Sequence, residues 1–194
     1  DEVVLATTDL VRDDPLVDLA ERLGVPVYRG SEPDVLGRLA GAANMFNATC
    51  VVRVCADNPF VDPVEIDRLI NYFRDIRCDY ACNHQDRLGS RYADGFGAEI
   101  LSNHLLQKLA YLALEARYRE HVTLYLWEHA NDFVLLAVPA PAELAYPRLR
   151  FDVDEQADLD FLNRIGEAVN GDVDVSATEI VRTILNGTVV KSLA

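Results

Sequence analysis

Two groups of aspartates follow apolar, strand-like segments of this 194-residue sequence. Asp57 comes just after the apolar run at residues 50–55, and Asp152 and Asp154 lie at the end of a short strand predicted over residues 149–153. Ligands of open α/β sheets bind beyond the carboxyl ends of the strands, where such carboxylates repel one another unless a cation lies between them. One or two carboxylates together with substrate phosphates are typical Mg²⁺ ligands. The pattern therefore indicates a cation site, while capping of the next turn or helix is the competing interpretation for either aspartate alone.

The elements that would position these aspartates alternate along the chain. Short apolar runs are separated by helical patterns, which predicts an α/β fold with a largely parallel sheet in one domain over residues 1–194. The run at residues 50–55 is apolar on both faces, so we expect a central strand.

Capping residues predict where several helices begin. Asp62, Pro63 and Glu65 predict a helix start by cap, first-turn proline and capping-box acid. Ser31 and Asp34 predict the start of a helix that continues to about residue 47. A further helix is predicted over residues 117–131.

Composition excludes several classes of function. Eighteen basic residues against 32 acidic ones give a net charge of −14, which disfavours nucleic-acid binding. No apolar run approaches the roughly 18 residues of a membrane helix. The cysteines form no CxxC pair, which favours reduced thiols in a cytoplasmic protein; they are Cys50, Cys55, Cys78 and Cys82.

Six blocks of the sequence occur in an order that resembles one enzyme family. In chain order they are DEVVLATTD, VPVYRGSEPDVLGRL, VVRVCADNPFVDPVEIDRLI, YADGFGAEI, REHVTLYL and RLRFDVDEQADL. They are similar to the cytidylyltransferases of the spore-coat polysaccharide (SpsF-like) type, relatives of the enzymes that make CMP-Kdo and CMP-sialic acid. The resemblance extends to about residue 171. It implies a three-layer α/β/α nucleotide-diphosphosugar-transferase-like (Rossmann-like) fold with a mostly parallel mixed sheet, and Mg²⁺-dependent transfer of CMP from CTP to a sugar with release of pyrophosphate.

The resemblance also implies roles for individual residues. Asp57 and Asp154 would hold Mg²⁺, and His121 would act as a general base or donate a hydrogen bond to the sugar. For Arg53 the alternative to substrate binding is a structural ion pair. For His121 the alternative is a purely structural role. Ser31 can cap a helix and also bind the nucleotide. The implied substrate-binding residues are Arg53, Asn58, Glu99 and Glu120, and the implied nucleotide-binding residues are Arg29 and Ser31.

The sequence departs from the family pattern at two places. A glycine-rich basic loop, roughly R-x-G-S-x-R-x-P-G-K, has no counterpart, so we expect the fold to lack its first strand and this loop, as a fragment or a natural remnant. Asp152 stands where the family more often has a small or hydroxyl residue, and we expect it to add negative charge near the metal.

Two other functions remain open from the sequence. A remnant of the fold can serve as an interaction module, and a metal-dependent glycosyltransferase can use a similar fold with a preformed nucleotide-sugar. Sugar specificity is expected to depend on the loop at residues 84–94. The oligomeric state stays open from the sequence, and a homodimer is one possibility because exposed edge strands favour association.

Overall fold

A computed structural model describes residues 1–187 of the chain. The chain forms two compact units, the first from residues 1–51 and 101–135 and the second from residues 52–100 and 136 onward. The single domain expected over residues 1–194 stays a prediction, and residues 188–194 of that range lie outside the described residues. Within the described part, no helix is long and apolar enough to span a membrane.

The helices and strands alternate along the chain as expected for an α/β protein. In chain order they are β1 Leu5–Thr8, α1 Asp14–Arg22, β2 Val27–Gly30, α2 Val35–Met45, β3 Cys50–Arg53, α3 Pro63–Asp75, β4 Tyr80–Cys82, β5 Glu99–Ser102, α4 Asn103–Leu112, α5 Ala116–Glu120, α6 Leu124–Glu128, β6 Leu135–Ala137, α7 Gln156–Ala168 and α8 Ala177–Leu185.

The strands form two sheets within the described residues. One contains β1 and β2, which run parallel with Leu5 opposite Val27. The other has four strands in the order β3-β5-β4-β6. The expectation that β3 is a central strand is wrong, because β3 is the outer strand of its sheet. Cys50 is exposed and the other residues of β3 are only half-buried, so apolar residues on both faces of a strand do not establish a central position.

The first unit is built around helix α2. This helix packs against α4 and α5, and Leu36 and Ala40 on it are buried. Helix α2 is capped by Asp34, whose side chain accepts a hydrogen bond from the Gly37 N–H at 2.8 Å. The expectation that Ser31 caps this helix is therefore wrong: the helix begins too far along the chain for Ser31 to reach its first N–H groups.

The prediction of a single helix over residues 117–131 is also wrong. The chain instead forms the short helices α5 and α6, and His121 ends α5 with backbone angles outside the helical region. The β-branched residues Val122 and Thr123 follow it, and the Val122 side chain is buried. Burial of an apolar side chain at this break outweighs the helical propensity of the flanking residues.

The second unit contains the main apolar core. The expected cap and first-turn proline of α3 are confirmed, because the Asp62 side chain accepts a hydrogen bond from the Val64 N–H at 2.8 Å and Pro63 is the first helical residue. The expected capping-box role of Glu65 is wrong, because its carboxylate accepts from the Tyr92 hydroxyl instead. Ser176 and Glu179 form a capping box at the start of α8, which packs against α7. Core residues from helices, strands and the segment around residue 151 include Leu69, Ala81, Phe96, Ile100, Phe151, Phe161, Ile165 and Ile180.

Candidate active site

The backbone of the second unit brings three acidic segments together. The Asp94 N–H donates to the Leu149 carbonyl at 2.9 Å, and the Phe151 N–H donates to the Asp94 carbonyl at 3.0 Å. Further along, the Val153 N–H donates to the Asp57 carbonyl at 2.9 Å. The segment at residues 149–153 is thus hydrogen-bonded both to Asp94 and to the turn that carries Asp57. The prediction of a strand over residues 149–153 is wrong: the segment forms only an isolated bridge, between Arg150 and Asp94.

A glycine permits this close approach. Gly95 has a φ of +111°, a conformation that residues with a Cβ rarely adopt. A Cβ placed on it would lie 3.0 Å from the Phe151 carbonyl carbon. The ring of the next residue, Phe96, packs against that of Phe151 in a tilted arrangement with centroids 4.5 Å apart. The Asp94-Gly95 dipeptide therefore fixes the position of Asp94 beside residues 149–153.

Like charges face one another at this point. The pKa of Asp94 is raised from 3.8 to about 6, first because the carboxyl is partly buried and then because the Asp152 and Asp57 carboxylates repel a further negative charge. Arg150 and Arg87 act in the opposite direction but do not cancel the effect. We name the four side chains Asp57, Asp94, Asp152 and Asp154 the acidic edge.

Arg150 forms ion pairs within the acidic edge. Its Nε lies 3.0 Å from Asp152 Oδ1, and its Nη2 contacts Asp152 Oδ2 as well. The same Nη2 lies 2.7 Å from Asp154 Oδ2. These hydrogen bonds raise the pKa of Arg150, first through Asp152 and then through Asp154.

The capping alternative for Asp154 is wrong. The N-cap of α7 is Glu155, which forms a capping box with Asp158. The Asp154 side chain is 60% exposed and reaches Arg150. Its carboxylate is therefore accessible to a ligand from solvent.

The donor chemistry of the acidic edge fits Mg²⁺. Carboxylate oxygens are hard ligands, and Mg²⁺ is held in proteins by one or two of them while phosphate and water oxygens complete the octahedron. Within residues 1–187 no three His, Cys, Asp or Glu side chains are grouped so that they could hold a metal ion by themselves. Asp57 and Asp154, both exposed, are thus suited to a cation that arrives with a phosphate-bearing substrate.

A short turn carries Asp57 away from β3. The Asn58 N–H donates to the Cys55 carbonyl at 3.2 Å, and Asn58 is 8% exposed. Burial raises the pKa of the Cys55 thiol to about 11, so this cysteine is a neutral side chain at physiological pH. The substrate-binding role of Asn58 stays a prediction.

Arg53 is held by a buried acid. The Glu99 carboxylate, 2% exposed, accepts hydrogen bonds from the Arg53 guanidinium and, at 2.6 Å, from the Tyr80 hydroxyl. The ion-pair alternative for Arg53 is confirmed. The Arg53 side chain remains 25% exposed, so it can also present N–H groups to an anion, whereas Glu99 faces inward. Direct substrate contacts by these two residues stay predictions.

Two predicted nucleotide-binding residues have structural roles in the first unit. Arg29 donates to the Thr8 carbonyl and to the Leu10 carbonyl, each at 2.8 Å, and pairs with Asp14 at 2.7 Å. These contacts tie β2 to the start of α1. Ser31 is exposed, and its carbonyl accepts from Arg38 at 2.7 Å.

Two predicted sugar-side residues lie at the end of α5. Glu120 and His121 are both exposed. The neighbouring Arg119 is engaged with Asp34 at 2.6 Å and with the Ala110 carbonyl at 2.7 Å. Arg119 therefore anchors α5 to the N-terminus of α2, and the exposed side chains of Glu120 and His121 beside this anchor are accessible to a ligand. Their roles stay predictions.

Sequence reasoning missed two residues of the acidic edge and its surroundings. Asp94 lies within a block that carried the family resemblance, and the Asp-Gly dipeptide signals a special backbone conformation. Arg150 precedes Asp152 by two residues, so alternation along an extended segment places both side chains on one side. Those two signals were available from the sequence.

Comparisons with known proteins point to one family. A profile described as "Cytidylyltransferase" matches residues 1–180. The spore coat polysaccharide biosynthesis protein SpsF of Bacillus subtilis (strain 168) is 32% identical over 187 residues, which are 96% of this chain and 75% of that protein. The protein MJ1063 of Methanocaldococcus jannaschii is 32% identical over 159 residues, which are 82% of this chain and 63% of that protein.

A solved structure extends the similarity to the fold. A cytidylyltransferase from Leptospira borgpetersenii serovar Hardjo-bovis (strain JB197) matches with a TM-score of 0.88 and 25% identity, over 99% of this chain and 79% of that chain. This match confirms the Rossmann-like α/β/α fold expected from the sequence.

Proposed function

The chain belongs to the cytidylyltransferase family, a family of nucleotidyltransferase enzymes, and we propose that it transfers CMP from CTP to a hydroxyl group of a sugar. In this reaction the sugar oxygen attacks the α-phosphorus of CTP. A new phosphorus–oxygen bond to the sugar forms, the bond to pyrophosphate breaks, and the hydroxyl proton is lost. No covalent enzyme intermediate is required, so positioning and charge neutralisation carry the step.

The observation that carries this proposal is the acidic edge. Backbone hydrogen bonds bring its segments together, and partial burial, followed by repulsion from Asp152 and Asp57, raises the pKa of Asp94. Asp57 and Asp154 would hold Mg²⁺, which supplies charge neutralisation for the triphosphate and the departing pyrophosphate. A site of this character attracts a cation with its bound phosphates and repels an unaccompanied nucleotide.

Arg53 is the cationic side chain that we propose for anion binding near this edge. The carboxylate of Glu99 and, behind it, the hydroxyl of Tyr80 restrain the guanidinium. A restrained guanidinium loses less rotamer freedom when it binds a phosphate or a carboxylate, and its fork geometry matches both groups. Asn58, beside Asp57, is proposed to contact the substrate in the same region.

The remaining assignments rest on the family blocks. We propose that Glu120 and His121 contact the sugar, with His121 taking the hydroxyl proton or donating a hydrogen bond, and that Arg29 and Ser31 contact the nucleotide. The similarity to a protein named for spore coat polysaccharide biosynthesis supports a sugar destined for a surface polysaccharide. We further propose a cytoplasmic enzyme that can form a homodimer.

Release of pyrophosphate tests the proposal directly. The protein is incubated with Mg²⁺ and CTP, ATP, GTP or UTP, together with sugars that carry a carboxylate and matched sugars that lack it. We expect pyrophosphate only with CTP and a subset of the sugars. Asp57→Asn should remove this activity, while Asp67→Asn, the same charge change on the exposed face of α3, should retain it.

Two outcomes would contradict the proposal. Pyrophosphate release that is equal for wild type and Asp57→Asn would show that the acidic edge takes no part. Failure with every nucleotide, combined with binding of a nucleotide diphosphate sugar in preference to CTP, would indicate a glycosyltransferase instead.

A further inference from the structure

The two ion pairs of Arg150 differ in kind. The contact with Asp152 uses two guanidinium nitrogens and both carboxylate oxygens, and the Asp152 side chain is only 12% exposed. The contact with Asp154 uses one nitrogen and one oxygen, and the Asp154 side chain is 60% exposed. A bidentate, sheltered pair is stronger than a single exposed one, which is screened by water.

This asymmetry changes the interpretation of Asp152. An acid at this position was expected to add negative charge beside the metal. The Arg150 guanidinium compensates that charge, and the two side chains lie on one side of the extended segment at residues 149–153. Arg150 therefore offsets the charge of Asp152, and the same Nη2 that contacts Asp152 also reaches Asp154.

We propose that Arg150 is a positioning residue that holds the Asp154 carboxylate until a divalent cation replaces it. Without the cation, the Nη2 of Arg150 neutralises Asp154 and limits its repulsion with the rest of the acidic edge. When a cation binds, Asp154 leaves Arg150, whereas the bidentate contact with Asp152 is kept. This inference rests on the proposed function, because it takes Asp154 as a cation ligand.

The exchange has a consequence for affinity. Arg150 competes with the cation for one carboxylate, so its guanidinium weakens cation binding by the free energy of the Arg150–Asp154 contact. An exposed ion pair of this kind corresponds to a factor of about two to five in an equilibrium constant. The competition is local, so it depends on the side chain at position 150 and not on net charge alone.

The test is a titration of the full chain with Mg²⁺ at a fixed concentration of CTP, followed by the NMR signal of the Asp154 backbone amide. Arg150→Gln removes the competing charge, and we expect the Mg²⁺ dissociation constant to fall about two- to fivefold. Arg150→Lys retains a charge that can pair with one carboxylate but cannot bridge two. The Mg²⁺ dissociation constant of this variant should therefore lie between those of the wild type and Arg150→Gln. Arg148→Gln, the same charge change on an exposed neighbour, should leave the constant within about 1.5-fold of wild type.

The possible results distinguish failure of the inference about Arg150 from failure of the proposed function. Equal tightening by Arg150→Gln and Arg148→Gln would overturn the inference in favour of a general charge effect. Weaker Mg²⁺ binding by Arg150→Gln would overturn it in favour of a supporting role for Arg150. If no protein shows a shift at Asp154, the assignment of Asp154 as a cation ligand fails together with this inference, while the pyrophosphate assay still reports independently on CMP transfer. Urea unfolding of each variant establishes that the compared proteins are folded.

Discussion

The acidic edge and the start of helix α3 both concentrate polar side chains in the second unit, but they balance them differently. At α3 the Asp62 side chain accepts from the Val64 N–H and from the Ala177 N–H, each at 2.8 Å. The buried Glu65 carboxylate accepts from the Tyr92 hydroxyl at 2.6 Å. Each of these acids has donors from the fold itself.

At the acidic edge the negative charges of the aspartates are only partly compensated by the fold. Partial burial, and then repulsion by the Asp152 and Asp57 carboxylates, raise the pKa of Asp94, and Arg150 is shared between Asp152 and Asp154. A fold that places like charges together is less stable unless a bound ligand offsets their repulsion. An acid that has donors of its own in the fold is structural, whereas acids that crowd together and share one cation indicate a binding site.

Removal of a cation ligand should give the largest effect. Asp57→Asn and Asp154→Asn should each weaken Mg²⁺-dependent CTP binding by at least about a hundredfold, because substitutions behind a metal ligand already cost up to that factor. Unfolding free energies should change by no more than about 0.5 kcal/mol, since both side chains are exposed. Titration calorimetry and urea unfolding measure the two quantities. Unchanged Mg²⁺ dependence in both variants would eliminate the two-aspartate site.

The opposite result is expected for Asp62. Asp62→Ala leaves the N–H groups of Val64 and Ala177 without their acceptor, and Ala177 is buried. We expect a loss of about 2–3 kcal/mol in unfolding free energy, the sum of a lost helix cap and an unsatisfied buried donor. Asp67→Ala, an exposed change on the same helix, should cost less than about 0.5 kcal/mol. Equal losses of unfolding free energy in the two variants would contradict the structural role that we assign to the hydrogen bonds of Asp62.

The repulsion at Asp94 should be visible as a dependence of stability on pH. The folded-state pKa of about 6 lies above the ordinary value of 3.8, so ionisation opposes folding: the penalty is absent below pH 3.8, grows between these values and is complete above pH 6. Asp94→Asn should therefore stabilise the protein at pH 8 by about 1–2 kcal/mol, after allowance for solvent screening of a partly exposed group, and change little at pH 3.5.

Urea unfolding in EDTA at the two pH values measures this effect, and the chelator keeps cations from masking the repulsion. A stabilisation that is the same at both pH values would assign the effect to packing. A variant that is less stable at pH 8 would show that the carboxylate is already compensated.

The smallest effect is expected at Ser31. The structure assigns the cap of α2 to Asp34, so Ser31→Ala should change the unfolding free energy by less than about 0.5 kcal/mol. Asp34→Ala should cost about 1 kcal/mol or more, because it also removes the partner of Arg119. Thermal unfolding of the two variants compares them, and a larger loss for Ser31→Ala would contradict the observed helix start.

Much of the fold follows from local sequence patterns. The helix start at Asp62 and Pro63, the capping box of Ser176 and Glu179, and strand β4 are each fixed by residues close together in the chain. Such features depend on hydrogen bonds within one turn or on side-chain alternation, and both are readable from sequence.

The errors arose where distant residues decide the structure. The outer position of β3 depends on which strands pair with it, and the break after His121 depends on the burial of Val122. The inward orientation of Glu99 likewise depends on Tyr80, which is distant in sequence. The ion pairs of Arg150 depend on competition between Asp152 and Asp154. Of the site, the sequence indicated the two aspartates, but only the backbone contacts of residues 149–153 brought Asp94 into it.

Calorimetric titration of CTP into this chain, with and without Mg²⁺ and with ATP as the competitor, tests the central claim most directly. We expect saturable CTP binding that requires Mg²⁺ and is not displaced by ATP at comparable concentration. The acidic edge repels the triphosphate, so binding should be lost when EDTA is added. CTP binding of equal affinity with and without Mg²⁺ would contradict the claim that the acidic edge is a cation-dependent nucleotide site.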